Sequence, residues 1–157
     1  NEDPAERNRR SVYVFVRRNL RYPMFEAFDM PDTHESCGRR IPTTTAPQAL
    51  VMMNSKQVLE AAQSFAGRVL AQAGLDRKAQ IDAAYRLAFG RRPDPAERDT
   101  SLSFLAAHQP IVDERLAAHQ PVALPAPLPE ALDQAAAATL VDFCHMLLNS
   151  NEFVYVN

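Results

Sequence analysis

The segment FDMPDTHESCGRR, residues 28 to 40, holds seven ionisable side chains in thirteen positions, a density expected at a catalytic or metal site. Carboxylate, imidazole and thiolate groups could together ligate a metal ion, or the single cysteine could react as a thiolate beside two arginines. We treat this segment as the candidate functional loop, and its candidate residues are Asp29, Asp32, His34, Glu35, Cys37, Arg39 and Arg40.

The same residues also fit a purely structural loop. Asp29 and Asp32 flank Pro31, where aspartates form turns and caps by accepting backbone amides. Arg39 and Arg40 could then bind those carboxylates through paired hydrogen bonds. A zinc site needs three or four ligands, whereas the segment holds one cysteine and one histidine. We favour the structural interpretation and expect no catalytic residue, no cofactor and no bound metal in this chain.

Two more histidines lie in a repeated hexapeptide, LAAHQP, at residues 105 to 110 and 116 to 121. His108 and His119 are eleven residues apart, close to three helical turns, so a metal pair is conceivable. Pro110 lies between them, however, and two histidines without a third ligand make no site. We favour a local duplication of the hexapeptide over a metal site.

The sulfur-containing residues give no clear cofactor signal. The chain has no Cys-x-x-Cys-His motif, so covalent attachment of a c-type haem is excluded for this sequence. Cys144 shares a helical face with Leu140 and Leu147, which predicts a buried position. Met52 and Met53 are expected to fill the core rather than to contact a haem.

Composition predicts one folded domain over residues 1–157. Hydrophobic residues make up 46% and charged residues 23%, and the formal net charge is −2. Even the first forty residues, with eight Arg against seven Asp or Glu, are nearly neutral. We therefore expect no nucleic-acid partner, and the lack of a long apolar run predicts no membrane insertion.

Capping residues mark a series of helices. The sequence Asp94, Pro95 and Glu97 is typical of a capping box, and Gly74 and Gly90 are placed to end helices. A short helix beginning near Pro47 should carry Leu50 and Met53 inward. The longer helices are predicted at 56–73, 77–89, 95–109 and 130–148.

Proline residues predict the breaks between these helices. Pro110 should interrupt or kink the helix that begins at Pro95. Residues 110–129 are then a proline-rich connection before the last helix, and from Pro121 onward a polyproline-type spacer is expected to run over the surface.

Two short apolar segments, SVYVFV at 11–16 and FVYV at 153–156, are typical of strands. Each is the other's only candidate partner, although a short buried helix at 11–18 is an alternative. The predicted fold is mainly α: a single-domain helical bundle with an extended or short β N-terminal segment and an ordered loop rich in Pro, Asp and Arg.

Five ordered blocks give the chain a family resemblance: RRSVYVFVRR, FDMPDTHESCGRR, TTTAPQALVMMNS, LAFGRRPDPAE and LLNSNEFVYVN. The series resembles the C-terminal part of an uncharacterised domain in large planctomycete-type proteins. In that family the domain follows a second uncharacterised domain, often with a cytochrome-c-like module further upstream. The resemblance implies a mostly helical, exported protein, periplasmic or at the cell surface, from a family without an established activity. Because the chain begins at Asn1 rather than Met, we expect it to be a fragment of such a protein.

Two functions remain open at this point. The favoured one is a non-catalytic interaction or scaffold module that binds upstream domains of the same polypeptide or another exported protein. The alternative is part of an exported hydrolase or redox enzyme whose site is completed by upstream residues. The oligomeric state is open in both.

Export would permit a disulfide between Cys37 and Cys144. We predict two free thiols instead, because Cys144 points into an apolar stripe while Cys37 lies in a charged loop.

Overall fold

The computed structural model describes residue 13 and the ranges 23–30, 46–128 and 133–155. Within these ranges it contains helices and no strand, so the prediction of a mainly α fold is confirmed. The helices are α1 (Pro23–Ala27), α2 (Ala46–Asn54), α3 (Lys56–Ala73), α4 (Arg77–Phe89), α5 (Pro95–Ala117), α6 (Gln134–Leu148) and α7 (Asn151–Val154).

Backbone contacts divide the chain into two compact units, Asn1–Val51 and Met52–Asn157. In the first unit the structure describes α1, the first turns of α2 and Tyr13, which lies in a 3₁₀ turn with 69% of its surface exposed. The other residues of SVYVFV lie outside the described residues. The single domain over residues 1–157 stays a prediction.

Helix α6 is the centre of the second unit. It packs against α3, α4, α5 and α7, and it buries Leu140, Phe143 and Leu147. A helix that is apolar on most of its surface must be covered on several sides, and each fully buried Leu or Phe contributes about 1.5–3 kcal/mol. The small residues Ala135, Ala137 and Ala138 are also buried, which lets neighbouring helices approach closely.

Local signals set the ends of α3 and α4. Helix α3 ends at Gly74, whose φ of 59° is one that a residue with a Cβ rarely adopts. Helix α4 begins after Asp76, whose side chain accepts a hydrogen bond from the Lys78 amide at 3.0 Å, and it ends at Gly90 in the left-handed conformation. The predicted bounds of α3, 56–73, and of α4, 77–89, are confirmed. The hydroxyl of Ser55, the residue directly before α3, makes no capping hydrogen bond.

The predicted capping box at the start of α5 is also present. The Glu97 amide donates to Asp94 Oδ1 at 2.7 Å, and the Asp94 amide donates to Glu97 Oε2 at 2.8 Å. Pro95 occupies the first turn, where its missing N–H removes no helical hydrogen bond. Each end of the box therefore satisfies an amide that the helix itself leaves without a partner.

The predicted end of α5 at Gln109 is wrong. The helix continues through Pro110 to Ala117, so residues 110–117 of the predicted connection are helical. Pro110 removes one hydrogen bond from the interior of the helix. Burial offsets that loss, because Val112 is fully buried against Ala135 and Ala138 and Leu116 packs beside it.

The expected surface spacer after Pro121 is wrong too. Pro125 is buried, Val122 and Leu124 pack on the cluster around Val112, and the segment contacts α3. Gln63 Nε2 donates to the Leu124 carbonyl at 2.8 Å, and the Ala126 amide donates to the Gln63 carbonyl at 3.0 Å. The Ala126–Pro127 peptide bond is cis.

Gly67 makes this close approach possible. A Cβ built on Gly67 would lie 2.3 Å from the Ala126 carbonyl oxygen, so no other residue fits without moving the backbone. The segment from Val122 to Pro127 is hereafter the docked loop. Apolar side chains and exchanged hydrogen bonds hold it on α3, which a polyproline pattern does not predict.

Three further expectations are corrected. In α2, Leu50 and Met53 are 59% and 62% exposed, and the buried residue of that helix is Gln48. Helix α6 begins at Gln134 rather than near Glu130, because Asp133 is its N-cap and accepts from the Ala136 amide at 2.9 Å.

The predicted strand at 153–156 is also wrong, since Phe153 and Val154 belong to α7. Ser150 sets the start of that helix by accepting a hydrogen bond from the Phe153 amide. This local cap outweighs the strand preference of two apolar residues.

Candidate functional site

Of the seven candidate residues of the functional loop, the structure describes Asp29 alone. It ends α1 in the left-handed conformation, with φ of 54°. The Met30 amide donates to the Phe25 carbonyl at 2.9 Å and the Asp29 amide to the Glu26 carbonyl at 3.3 Å, which together form a Schellman motif. The Asp29 carboxylate also accepts a hydrogen bond from Gln48 Nε2 at 3.5 Å. Asp29 therefore contributes a helix end.

The other six members lie outside the described residues. They are Asp32, His34, Glu35, Cys37, Arg39 and Arg40. Whether the loop is a site or a structural element stays a prediction, as does the state of the Cys37 and Cys144 thiols.

His108 and His119, the histidines of the repeated hexapeptide, have different roles in the structure. His108 Nε2 lies 2.9 Å from Asp142 Oδ2, and its ring stacks on Phe104 with centroids 5.1 Å apart. His119 instead occupies the left-handed position that ends α5, with φ of 54°. The Gln120 amide donates to the Arg115 carbonyl and the His119 amide donates to the Leu116 carbonyl, which together form a second Schellman motif. Both histidines have structural roles.

Cys144 is fully buried, as predicted, and burial raises the pKa of its thiol above the ordinary range. A thiol in such surroundings is a poor nucleophile. Met52 is half-buried and Met53 exposed, so the expectation that both fill the core is only partly met. Within the described residues, no three His, Cys, Asp or Glu side chains are grouped so that they could hold a metal ion.

The most elaborate polar group in the second unit is centred on Arg91, which follows the glycine that ends α4. Its guanidinium donates two hydrogen bonds of 2.7 Å to Glu97 and two of 2.7 Å to Glu152. It also lies over the rings of Tyr85 and Phe89, 5.6 and 5.7 Å from their centroids. We call Arg91, Glu97 and Glu152 the arginine clamp. It joins the ends of α4, α5 and α7.

The clamp shifts the ionisation of its own members. Hydrogen bonds from Arg91 lower the pKa of Glu97 to about 2 and hold the pKa of Glu152 below its ordinary value. The same bonds, that to Glu97 first, raise the pKa of Arg91. All three groups are therefore charged near neutral pH, and their solvent exposure limits the contribution to stability.

Two other polar links cross between helices. Arg98 on α5 binds Asp82 on α4 at 2.7 Å. Arg77 on α4 donates to Gln109 on α5, and Gln109 Nε2 donates to Asp133 before α6 at 3.3 Å. These contacts link α4 with α5, and α5 with the residue that begins α6.

An open groove of about 500 Å³ lies beside the Arg98–Asp82 pair. Its charged lining residues serve the fold, since Asp76 caps α4 and Asp82 binds Arg98. The hydroxyls of Ser101 and Thr139 donate to backbone carbonyls one turn earlier in their own helices. These two hydroxyls are therefore directed to the backbone and not to a base.

Sequence reasoning missed three residues that matter in the structure: Arg91, Asp142 and Gly67. The Arg91 contact with Glu97 had a local signal, because an arginine just past a helix-ending glycine precedes a capping-box glutamate by six residues. Glu152 and Asp142 carried no such signal, since their partners are 61 and 34 residues away in sequence.

Fold and site together define a mainly α domain whose described charged residues join its helices. A family model described as PSD1, Protein of unknown function (DUF1553), matches residues 1–105. The chain belongs to this family. Comparisons with curated proteins and with solved structures found no significant match. No helix among the described residues has both the length and the apolar character required to cross a membrane.

Proposed function

We propose that this chain is a non-catalytic interaction module of an exported multidomain protein, and that it binds upstream domains of the same polypeptide. The proposal includes the finer resemblance: a planctomycete-type protein in which this region is C-terminal, behind a second uncharacterised domain and a cytochrome-c-like module. Location in the periplasm or at the cell surface is part of the proposal.

The exposed apolar face of α2 is the observation that carries this proposal. Leu50 and Met53 lie one turn apart and are 59% and 62% exposed, and Ala46 and Ala49 beside them are also exposed. Exposed apolar residues that are clustered rather than scattered are typical of protein interfaces. This face belongs to TTTAPQALVMMNS, one of the blocks that carry the family resemblance.

The use of the charged groups supports the same conclusion. Arg91, Arg98 and His108 are each paired with carboxylates on other helices, so their chemistry stabilises the fold. A hydrolase would need a nucleophile beside a base or a metal-bound water. The hydroxyls of Ser101 and Thr139 donate to backbone carbonyls instead.

The test uses the longer polypeptide with an engineered protease site just before Asn1. After cleavage, we expect this chain to co-elute with the upstream part in size-exclusion chromatography. The double variant L50S/M53S should weaken that association at least about tenfold, since two apolar side chains lose their burial.

The matched control is L75S, which removes an equally exposed leucine, 66% exposed, from the turn after α3. It should leave the association unchanged. Separation of the two parts in the unsubstituted protein would contradict the proposal, and so would equal effects of L50S/M53S and L75S.

A further inference from the structure

Helix α7 differs from the other helices of its unit in having no buried side chain. Asn151, Glu152 and Phe153 are exposed and Val154 is half-buried. Helix α6, directly before it, buries ten residues. Apolar burial therefore anchors α6 more strongly than α7, where Phe153 is 40% exposed and Val154 is half-buried.

The junction between these helices is short and defined. Asn149 ends α6, and Ser150 starts α7 by accepting a hydrogen bond from the Phe153 amide while its hydroxyl donates to the Leu147 carbonyl at 2.8 Å. A change in backbone angles at these two residues would move α7 without disturbing the hydrogen bonds inside α6.

The arginine clamp provides a polar attachment of α7 to the end of α4. Arg91 Nε and Nη2 each donate to the Glu152 carboxylate at 2.7 Å. The side chains of Arg91 and Glu152 are 40% and 46% exposed. Ion pairs in contact with water are weak and are screened by salt, so this attachment is easily opened.

Opening the clamp at Glu152 would leave α5 in place. Arg91 would keep its two hydrogen bonds to Glu97, and the Asp94–Glu97 capping box does not involve Glu152. Glu97 would also be relieved of a nearby like charge on Glu152. The closed state of α7 and the fold of α3 to α6 are therefore nearly independent.

We propose that α7 is a releasable strap: it opens from α4 while the bundle of α3 to α6 stays folded, and Arg91 is the residue that keeps it closed. Release is local, reversible and sensitive to ionic strength. This inference does not depend on the binding role of α2, so either can fail without the other.

The test is chymotrypsin cleavage after Phe153 in the whole chain, followed by intact mass spectrometry. When opening is faster than cleavage, the cleavage rate reports the open population. We expect R91Q to accelerate cleavage about two- to fivefold at low salt, the range expected for an exposed ion pair. E152Q should have the same effect once rates are normalised to a synthetic peptide of the same segment.

R92Q is the matched control, because it removes the neighbouring exposed arginine, and it should cleave at the unsubstituted rate. In 1 M NaCl the difference between R91Q and the unsubstituted chain should disappear. Equal rates at low salt would overturn the proposal. An effect of R91Q without one of E152Q would assign Arg91 to α5 alone, and faster cleavage at Tyr85 or Phe143 would show that α7 unfolds with the bundle.

Discussion

The hexapeptide LAAHQP adopts two conformations in one chain. At residues 105–110 it is helical throughout, including its proline, whereas at 116–121 the helix ends within it and His119 takes the left-handed conformation. The first copy faces α6, with Leu105 fully buried and His108 bound to Asp142. The second copy leads into the docked loop. Because the two copies are identical in sequence, their packing and not their local preference decides where α5 ends.

The largest expected effect on stability is a difference between Leu105 and Leu116, the leucines that begin the two copies. Leu105→Ala removes a fully buried side chain and should lower the free energy of unfolding by about 2–5 kcal/mol. Leu116→Ala, at a partly buried position, should cost about 1 kcal/mol. Urea denaturation of both variants measures the two values. Equal losses would mean that the copies are packed alike.

Gly67→Ala tests whether the docked loop depends on its close approach to α3. Alanine normally favours a helix by about 1 kcal/mol over glycine, yet here its Cβ would meet the Ala126 carbonyl oxygen at 2.3 Å. We expect a net loss of about 1–3 kcal/mol in the free energy of unfolding. Hydrogen exchange at the Ala126 amide should rise with it, because that amide is bound to Gln63. A stabilised variant would contradict the contact.

Substitution of the two prolines by alanine should change the free energy of unfolding by different amounts. Pro110→Ala restores a hydrogen bond inside α5 and should stabilise the chain by about 1–2 kcal/mol, within the cost expected for an interior helix proline. Pro121→Ala lies beyond the helix and should change stability by less than about 0.5 kcal/mol. Thermal unfolding of the pair decides this, and a destabilising Pro110→Ala would show that α5 needs the proline.

His108 and His119, at equivalent positions of the two copies, should respond differently to substitution by glycine. His119→Gly places glycine at a left-handed position and should stabilise by about 0.5–1 kcal/mol. His108→Gly lies inside the helix and removes the contact with Asp142, so it should destabilise by about 1 kcal/mol or more. Denaturant midpoints give both values. Shifts in the same direction would mean that His119 does more than end the helix.

The smallest effect concerns pH at the opposite end of α5. The pKa of Glu97 is lowered to about 2 from the ordinary 4.5, so its ionised form stabilises the fold above about pH 4.5 and the effect is lost as the pH falls toward 2. Glu97→Gln should therefore lower the melting temperature at pH 7, and the difference should shrink by pH 2. Glu114→Gln, exposed on the same helix, is the control. A difference that stays constant with pH would exclude ionisation as the cause.

Local chemistry was readable from the sequence and tertiary contact was not. Asp94 and Glu97 satisfy amides three residues away, and Gly74 and Gly90 provide backbone angles that few residues allow, so these helix ends could be predicted. The continuation through Pro110 depends on Val112 meeting α6, which lies more than twenty residues away in sequence. No residue near Pro110 indicates this contact.

Some residues of the candidate site also had a local signal in the sequence, and others had none. Asp29 could be recognised as a turn former because an aspartate can take the left-handed conformation on its own. The arginine clamp required Glu152 to reach a residue 61 positions earlier, which no local pattern specifies. The exposed face of α2 was predicted to be buried, because apolar spacing alone does not say which side of a short helix is covered.

The packing of α6 on α3 has a consequence for the order in which this chain folds. The pairs α3 with α4 and α4 with α5 are neighbours in sequence and can form as soon as their turns are made. Helix α6 must close a loop of about sixty residues before it meets α3, so its contacts cost more chain entropy and form later. Until α6 arrives, the apolar faces of α3 and α5 stay open to other chains. Exposed apolar surface of this kind favours aggregation, so the wait for α6 is an aggregation-prone stage of folding.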